Sequence, residues 1–227
     1  RQMVGISSIG DTTVVTNKWM LGTRNSFFIG IIATLLATAL GTVAALGLSR
    51  PHMPFKAVLM AILISPMIVP LIITAAGMFF FYSKIGLTHT YLGLILAHTA
   101  LGTPFVVITV TATLTGFDTN LIRASQSLGA DTLRTFFKVI MPLILPGVIS
   151  GGLFAFITSF DEVVVVMFVG SVEQITIPKQ MWAGLRQETS PVILCMATCL
   201  VALSIALLTT VEMLRRRSER LRGIKLR

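Results

Sequence analysis

Two carboxylates, Asp161 and Glu162, stand side by side inside an apolar run, SFDEVVVVMFVG. A carboxylate near mid-membrane costs on the order of 2.5 kcal/mol or more on insertion scales, so such residues rarely face lipid and often mark a solute path. Positions seven apart share a helix face, which places Phe154, Asp161 and Phe168 on one line, a carboxylate between two aromatic rings. That set suits an organic ammonium ion, held by charge pairing and cation-π contact. The competing reading is that one or both carboxylates pair with a cationic or hydroxyl group of a neighbouring helix. Which of the two faces inward stays open at this point.

A second chemically dense stretch runs from Asp118 to Pro146, polar and glycine-broken between long apolar blocks. Leu121, Ala124, Ser125 and Leu128 recur at helical spacing, and Gly129 interrupts them where a left-handed cap is needed. Asp131 is placed to cap a second helix carrying Leu133, Phe136, Phe137 and Ile140 on one face. About 30 residues is long for a passive connection, and an apolar stripe on it needs something to pack on. The plain alternative is an ordinary loop joining two spans.

The sequence has no GxxxxGK[ST] phosphate loop, no HExxH, no paired CxxC and no GxSxG elbow, which argues against catalysis by this chain and predicts neither metal nor cofactor. His52, His89 and His98 are scattered, and His98, inside a span, reads as a hydrogen-bonded packing residue ahead of a pathway residue. Cys195 and Cys199 sit four apart in an apolar block and read as small core residues on one helix face. The net charge of +9 is no sign of nucleic-acid binding, because seven of the eighteen basic residues crowd into the last thirteen positions, directly after an apolar block.

These features have to be positioned by membrane helices. The chain is 54% hydrophobic and 12% charged, with a mean hydropathy of +0.88, which marks an all-α integral membrane protein. Apolar segments cover about Ser26–Leu48, Ala57–Tyr82, Leu92–Thr115, Gly147–Gly170 and Val192–Leu214. Each is long enough to cross a hydrocarbon core of about 30 Å, and lipid forces such spans to be helical. Arg50, Lys56, Arg123, Arg134, Lys138 and the basic tail then fall on one side, so the tail is predicted cytoplasmic and residues 1–25 external. Arg1 is no initiator and residues 1–25 hold no entry segment, so a sixth span upstream is expected. Pro66 and Pro70 predict a kink in the second span. Thr99, Thr103, Thr109, Thr111 and Thr113 are expected to bond their own helix or glue helices together. Trp182 and Arg186 lie in an outer loop, where a Trp is more often an interfacial anchor than a protein contact.

The stretch ASQSLGADTLRTFFKVIMPLILPG resembles the EAA loop of permease subunits of binding-protein-dependent, type I ABC importers. Ala124, Gly129, Ala130, Phe136, Pro142 and Pro146 match that pattern, whereas Arg123 and Ser125 stand where the family usually has Glu and Ala. The stretches SFDEVVVVMFVG and TIPKQMWAGLRQETSPVI resemble the polyamine branch of the same family. The resemblance implies a single permease domain over residues 1–227, six-spanned in full, with a cytoplasmic coupling loop at 116–146. Arg123, Ala124, Ser125, Leu128, Gly129, Ala130, Phe136 and Pro142 would then dock on an ABC ATPase subunit, where ATP is bound. It further implies a second permease subunit, an extracytoplasmic solute-binding protein, the bacterial inner membrane, and putrescine or spermidine as cargo. Permeases for other small solutes, and an ion-driven secondary transporter or channel, are the alternatives.

Overall fold

The computed structural model describes residues 7–50, 52–116, 118, 120–187 and 191–221, and among them the secondary structure is helical throughout, with no strand. The first helix, α1 (Ser7–Leu48), has 42 residues, or about 63 Å at 1.5 Å per residue, so it projects well beyond a hydrocarbon core. Next come α2 (Lys56–Ile68), α3 (Leu71–Lys84) and α4 (Tyr91–Thr115). A short α5 (Asn120–Ser127) precedes α6 (Thr132–Thr135), a π-turn (Phe136–Ile140) and α7 (Met141–Asp161). The chain continues through α8 (Val164–Val169) and α9 (Ile177–Gln187) to α10 (Pro191–Leu221). Four helical stretches are long and apolar enough to cross a membrane, Lys18–Leu48, Tyr91–Thr115, Thr132–Asp161 and Ile193–Thr210, and the bent pair α2–α3 makes a fifth crossing if taken as one span.

The second span is not one kinked helix. Pro70 supplies no N–H, Val69 is extended (ψ 136°), and α2 and α3 meet at 104°. The fourth span also departs from the expectation of one helix over Gly147–Gly170. It starts earlier, continuous with α6 through the π-turn, and ends at Asp161, where Glu162 turns extended (ψ 122°).

The centre of the molecule is a three-helix seam. Small residues let the backbones approach closely, as membrane interiors require when water supplies no driving force. Thr99 Oγ1 reaches Ala33 O of α1 at 3.5 Å, and a Cβ on Gly41 would meet Val106, so α1 and α4 run parallel in a nearly constant offset. α7 runs antiparallel to both, with Gly147 and Gly151 against Thr113 and Thr109, and Gly102 against Ala155 and Ala37. Val106, Val110, Ile144 and Val148 fill the seam toward the Gly129 end, while Ile29, Leu94, Ile95, Val165 and Val169 fill it toward the Asn25 end. Four of the five threonines singled out in α4 behave as expected, Thr99, Thr103, Thr109 and Thr113 returning their hydroxyls to carbonyls four residues back, whereas the buried Thr111 hydroxyl has no hydrogen-bond partner among the described residues. Cys195 and Cys199 are a correction. They are free thiols on an exposed face of α10 among Leu194, Val201 and Ile205, so they belong to an apolar surface and not to the core.

Candidate transport site and coupling surface

The break after Asp161 separates two neighbouring carboxylates. Glu162 is buried, and its Oε1 accepts a hydrogen bond from the Val165 N–H at 2.9 Å, which caps the start of α8. At the other end of α8, Lys179 Nζ donates to Val166 O at 3.3 Å and Ser171 O at 3.0 Å, and its half-buried position lowers the pKa of the ammonium through desolvation. A negative group at the N-terminus and a positive one at the C-terminus match the helix dipole. A six-residue helix cannot hold itself in isolation, so these clasps, together with the packing of Val165, Val166 and Val169, fix it in place.

Asp161 is exposed, and no described residue bonds its carboxylate. It lines a cavity of about 340 Å³ together with Leu71, Ile157, Thr158, Glu162 and Val163. Leu71 is the first residue of α3, directly after the Pro70 break, and Asp161 to Val163 form the break between α7 and α8. Two discontinuous spans therefore open onto one space, with a carboxylate at its edge. Broken helices in transporters border their solute sites in this way, because chain breaks free polar groups where a cavity can use them.

Phe154 lies on the same face of α7, at i, i+3, i+4 and i+7 with Ile157, Thr158 and Asp161. It stacks on Phe105 of α4, with ring centroids 6.3 Å apart and planes at 21°. The line Phe154–Asp161–Phe168 does not extend past Asp161. The helix ends there, and Phe168, on the separate helix α8, packs against the core around Leu94 and Val165. His98 is buried and its Nδ1 lies 2.7 Å from Ser159 Oγ, which ties α4 to the last turn of α7; it packs, as its position in the sequence suggested. Leu71, Ile157, Thr158 and Phe105 were not singled out from the sequence. The seven-residue line could have been extended to Thr158, three before Asp161, but nothing local marks Leu71.

Beyond α8, the segment 171–176 is stapled to α1 and α4. Asn25 Nδ2 donates to Glu173 O and Ile175 O, both at 2.9 Å, and Asn25 Oδ1 accepts from the Tyr91 hydroxyl, while Ser26 Oγ accepts from the Ile177 N–H. α9 then presents Trp182 and Leu185 outward, with the Arg186 guanidinium 5.5 Å from the Trp182 ring centroid.

At the opposite end, α5 closes in a Schellman corner. Gly129 is left-handed (φ +80°), its N–H donates to Gln126 O, and Ala130 N–H donates to Ser125 O. Asp131 caps α6 by accepting from Arg134 N–H at 2.7 Å. Arg123 and Ala124 are exposed, Leu128 is 88% exposed, and Leu121, Leu133 and Phe137 also face outward. Phe136 and Ile140 are partly buried, so the second helix splits its apolar residues between two faces where one had been expected. Pro142 is exposed at the start of α7.

Residues 37–220 match the family model of the binding-protein-dependent transport system inner membrane component. The chain belongs to that family. This inner-membrane permease subunit is 31% identical over 194 residues to the spermidine/putrescine transport system permease protein PotC of Haemophilus influenzae, covering 86% of this chain and 76% of that protein. It is 29% identical over 189 residues to the putrescine transport system permease protein PotI of Escherichia coli, covering 78% and 65%. Among solved structures, the inward-facing MetNI methionine ABC transporter superposes with a TM-score of 0.67 at 19% identity, over 93% of this chain and 98% of that one. An amino acid ABC transporter crystallised with histidines does so with 0.67 at 15% identity, over 91% and 97%. The fold is that of a type I ABC importer permease. As such the permease is a transport subunit rather than an enzyme, and the family implies ATPase and binding-protein partners. The secondary-transporter alternative falls with that membership.

Proposed function

We propose that this permease subunit moves a polyamine, putrescine or spermidine, across the bacterial inner membrane as part of an ATP-driven importer. An extracytoplasmic solute-binding protein delivers the cargo at the Asn25 end. A second permease subunit completes the pathway, and ATP is bound and hydrolysed on separate ABC ATPase subunits docked at the Gly129 end. The basic residues on the Gly129 side and in the tail support a cytoplasmic C-terminus.

The observation that carries the proposal is the exposed Asp161 carboxylate at the junction of two broken spans. A cavity of this size with an apolar wall of Leu71, Ile157 and Val163 and a carboxylate that no described residue bonds recognises an alkyl chain ending in an ammonium. Phe154 and Phe105 offer aromatic surface further along the same α7 face. Glu162 supports the site from behind by capping α8. Similarity to polyamine permeases over most of the chain points to the same class of cargo. At the other end, Arg123, Ala124, Leu128 and Gly129 present the ATPase-docking corner, with Ser125, Ala130, Phe136 and Pro142 shaping it from within and beside it.

ATPase activity of the assembled complex in lipid vesicles, with its binding protein, tests this. Putrescine or spermidine should stimulate hydrolysis. Stimulation by another solute alone would remove the polyamine, and failure of any ATPase to copurify would remove the importer.

A further inference from the structure

We propose that Ser125 and Thr135 form a clasp that transmits movement of the coupling corner to the transport span. The proposal rests on the coupling role given above to α5. The two hydroxyls lie 3.0 Å apart and share the one side-chain hydrogen bond between α5 and α6 among the described residues, beside the exposed corner at Leu128–Asp131 and the packing of α5 on α6 and the π-turn. Thr135 is buried although Asp131 to Arg134 before it and Phe137 and Lys138 after it are exposed, so this hydroxyl is the inward contact of an otherwise outward segment.

Ser125 is used twice. Its carbonyl accepts the Ala130 N–H that closes the Schellman corner, and its hydroxyl meets Thr135. A push on the exposed face of α5, at Leu121 or Leu128, reaches the next helix through the corner, through the packing of α5 on α6 and the π-turn, and through this bond, the one directed side-chain link among the described residues. The corner turns at a left-handed glycine with open space around it, so its two backbone hydrogen bonds hold it without side-chain packing at that residue. The clasp adds the side-chain connection.

What the clasp grips is the base of a long rod. Thr132–Asp161 is one continuous helical stretch of 30 residues, about 45 Å, with Thr135 at its foot and Asp161 at its tip. Directly after Thr135 the helix widens into the π-turn, where Met141 N–H bonds Phe136 O. π-turns carry a strained extra residue and recur at functional positions, so a twist applied at Thr135 is taken up first at this turn. The clasp and the π-turn together turn displacement of α5 into rotation of the rod that carries the candidate solute carboxylate. Ser125 and Thr135 are thus positioning residues for energy transfer and touch neither nucleotide nor solute.

The test uses the complete transporter in vesicles, measuring solute molecules imported per ATP hydrolysed, with copurified ATPase checked for assembly. Ser125→Ala and Thr135→Val should each lower that ratio by about three- to tenfold, the factor set by one ordinary net hydrogen bond. The double variant should be no worse than either single one, because both remove the same bond. Thr135→Ser keeps the hydroxyl and should restore the ratio. A merely structural role would lower assembly and both rates together while leaving the ratio unchanged. Leu128→Asp separates the two levels of the proposal. If it uncouples the complex while Ser125→Ala and Thr135→Val keep the wild-type ratio, or if their losses add, the clasp is overturned and the coupling role stands. If Leu128→Asp leaves coupling intact as well, the coupling role fails and the clasp with it.

Discussion

Replacing Asp161 with Asn should impair transport far more than replacing Glu162 with Gln, although the two residues are adjacent and both acidic. Asp161 has no described hydrogen-bond partner, so its isosteric amide leaves the fold intact and removes only the charge facing the cavity. A unit charge pair about 4 Å apart is worth about 1 kcal/mol in bulk water and about 4 kcal/mol at an effective dielectric of 20. Because Asp161 is exposed in an open cavity, the lower part of that range applies, about 1–2 kcal/mol, or about a 5- to 30-fold fall in rate. Glu162 spends its Oε1 on the Val165 N–H, and a Gln carbonyl oxygen still accepts that bond while losing only the charge's share of the cap, so Glu162→Gln should stay within about twofold of wild type. The assay is the initial rate of ATP-driven uptake of labelled spermidine into vesicles at saturating binding protein, with Asp161→Glu as the charge-preserving control. Wild-type rates in Asp161→Asn together with loss in Glu162→Gln would refute the division of labour between them.

At the helix seam, a Cβ on Gly151 would run into Thr109 Oγ1 and come within 2.8 Å of Val106 Cα, so Gly151→Ala should destabilise the protein by about 1–3 kcal/mol, read as a lower thermal midpoint in detergent. An unchanged midpoint would mean that α4 and α7 are not packed this closely. Glu162→Ala, unlike Glu162→Gln, removes the cap of α8 and should cost about 0.5–2 kcal/mol in the same measurement. Lys179→Met leaves Val166 O and Ser171 O without their cationic donor and should speed hydrogen exchange across Val164–Val169, an effect that Lys179→Arg should largely repair. Equal exchange in wild type and Lys179→Met would show that α8 is held by its apolar packing alone.

The two ends of the molecule differed in how much of them the residues disclosed. The glycine corner after α5 was legible because its signals are local. Gly129 adopts the left-handed geometry its position called for, and Asp131 caps the following helix as its spacing indicated. The π-turn was hidden, since a run such as FFKVI differs from ordinary helix only in a hydrogen-bond register that tertiary packing selects. At the candidate solute site the carboxylates stood out by their cost in lipid, yet the break between them did not. DEVVVV contains neither glycine nor proline, and the helix stops because Glu162 turns its own side chain onto the Val165 N–H, a choice only the folded neighbours stabilise. The two prolines of ISPMIVP announced a bend, but it falls at Pro70 alone, Pro66 staying inside α2, and its size, 104°, depends on how α3 packs against α8. The cysteine spacing correctly gave one helix face, while which way that face points is set by the position of α10 on the outside of the seam. Ser125 and Thr135 meet across a corner ten residues apart in sequence, and periodicity carries no information about such a pair.

The most direct measurement is accumulation of labelled spermidine inside vesicles that contain the complete transporter, with binding protein outside and ATP inside. Uptake that requires ATP, is competed by unlabelled putrescine and falls at least about fivefold in Asp161→Asn is the predicted result. ATP-dependent uptake of a neutral amino acid but not of spermidine, or spermidine uptake indifferent to the loss of the Asp161 charge, would contradict it.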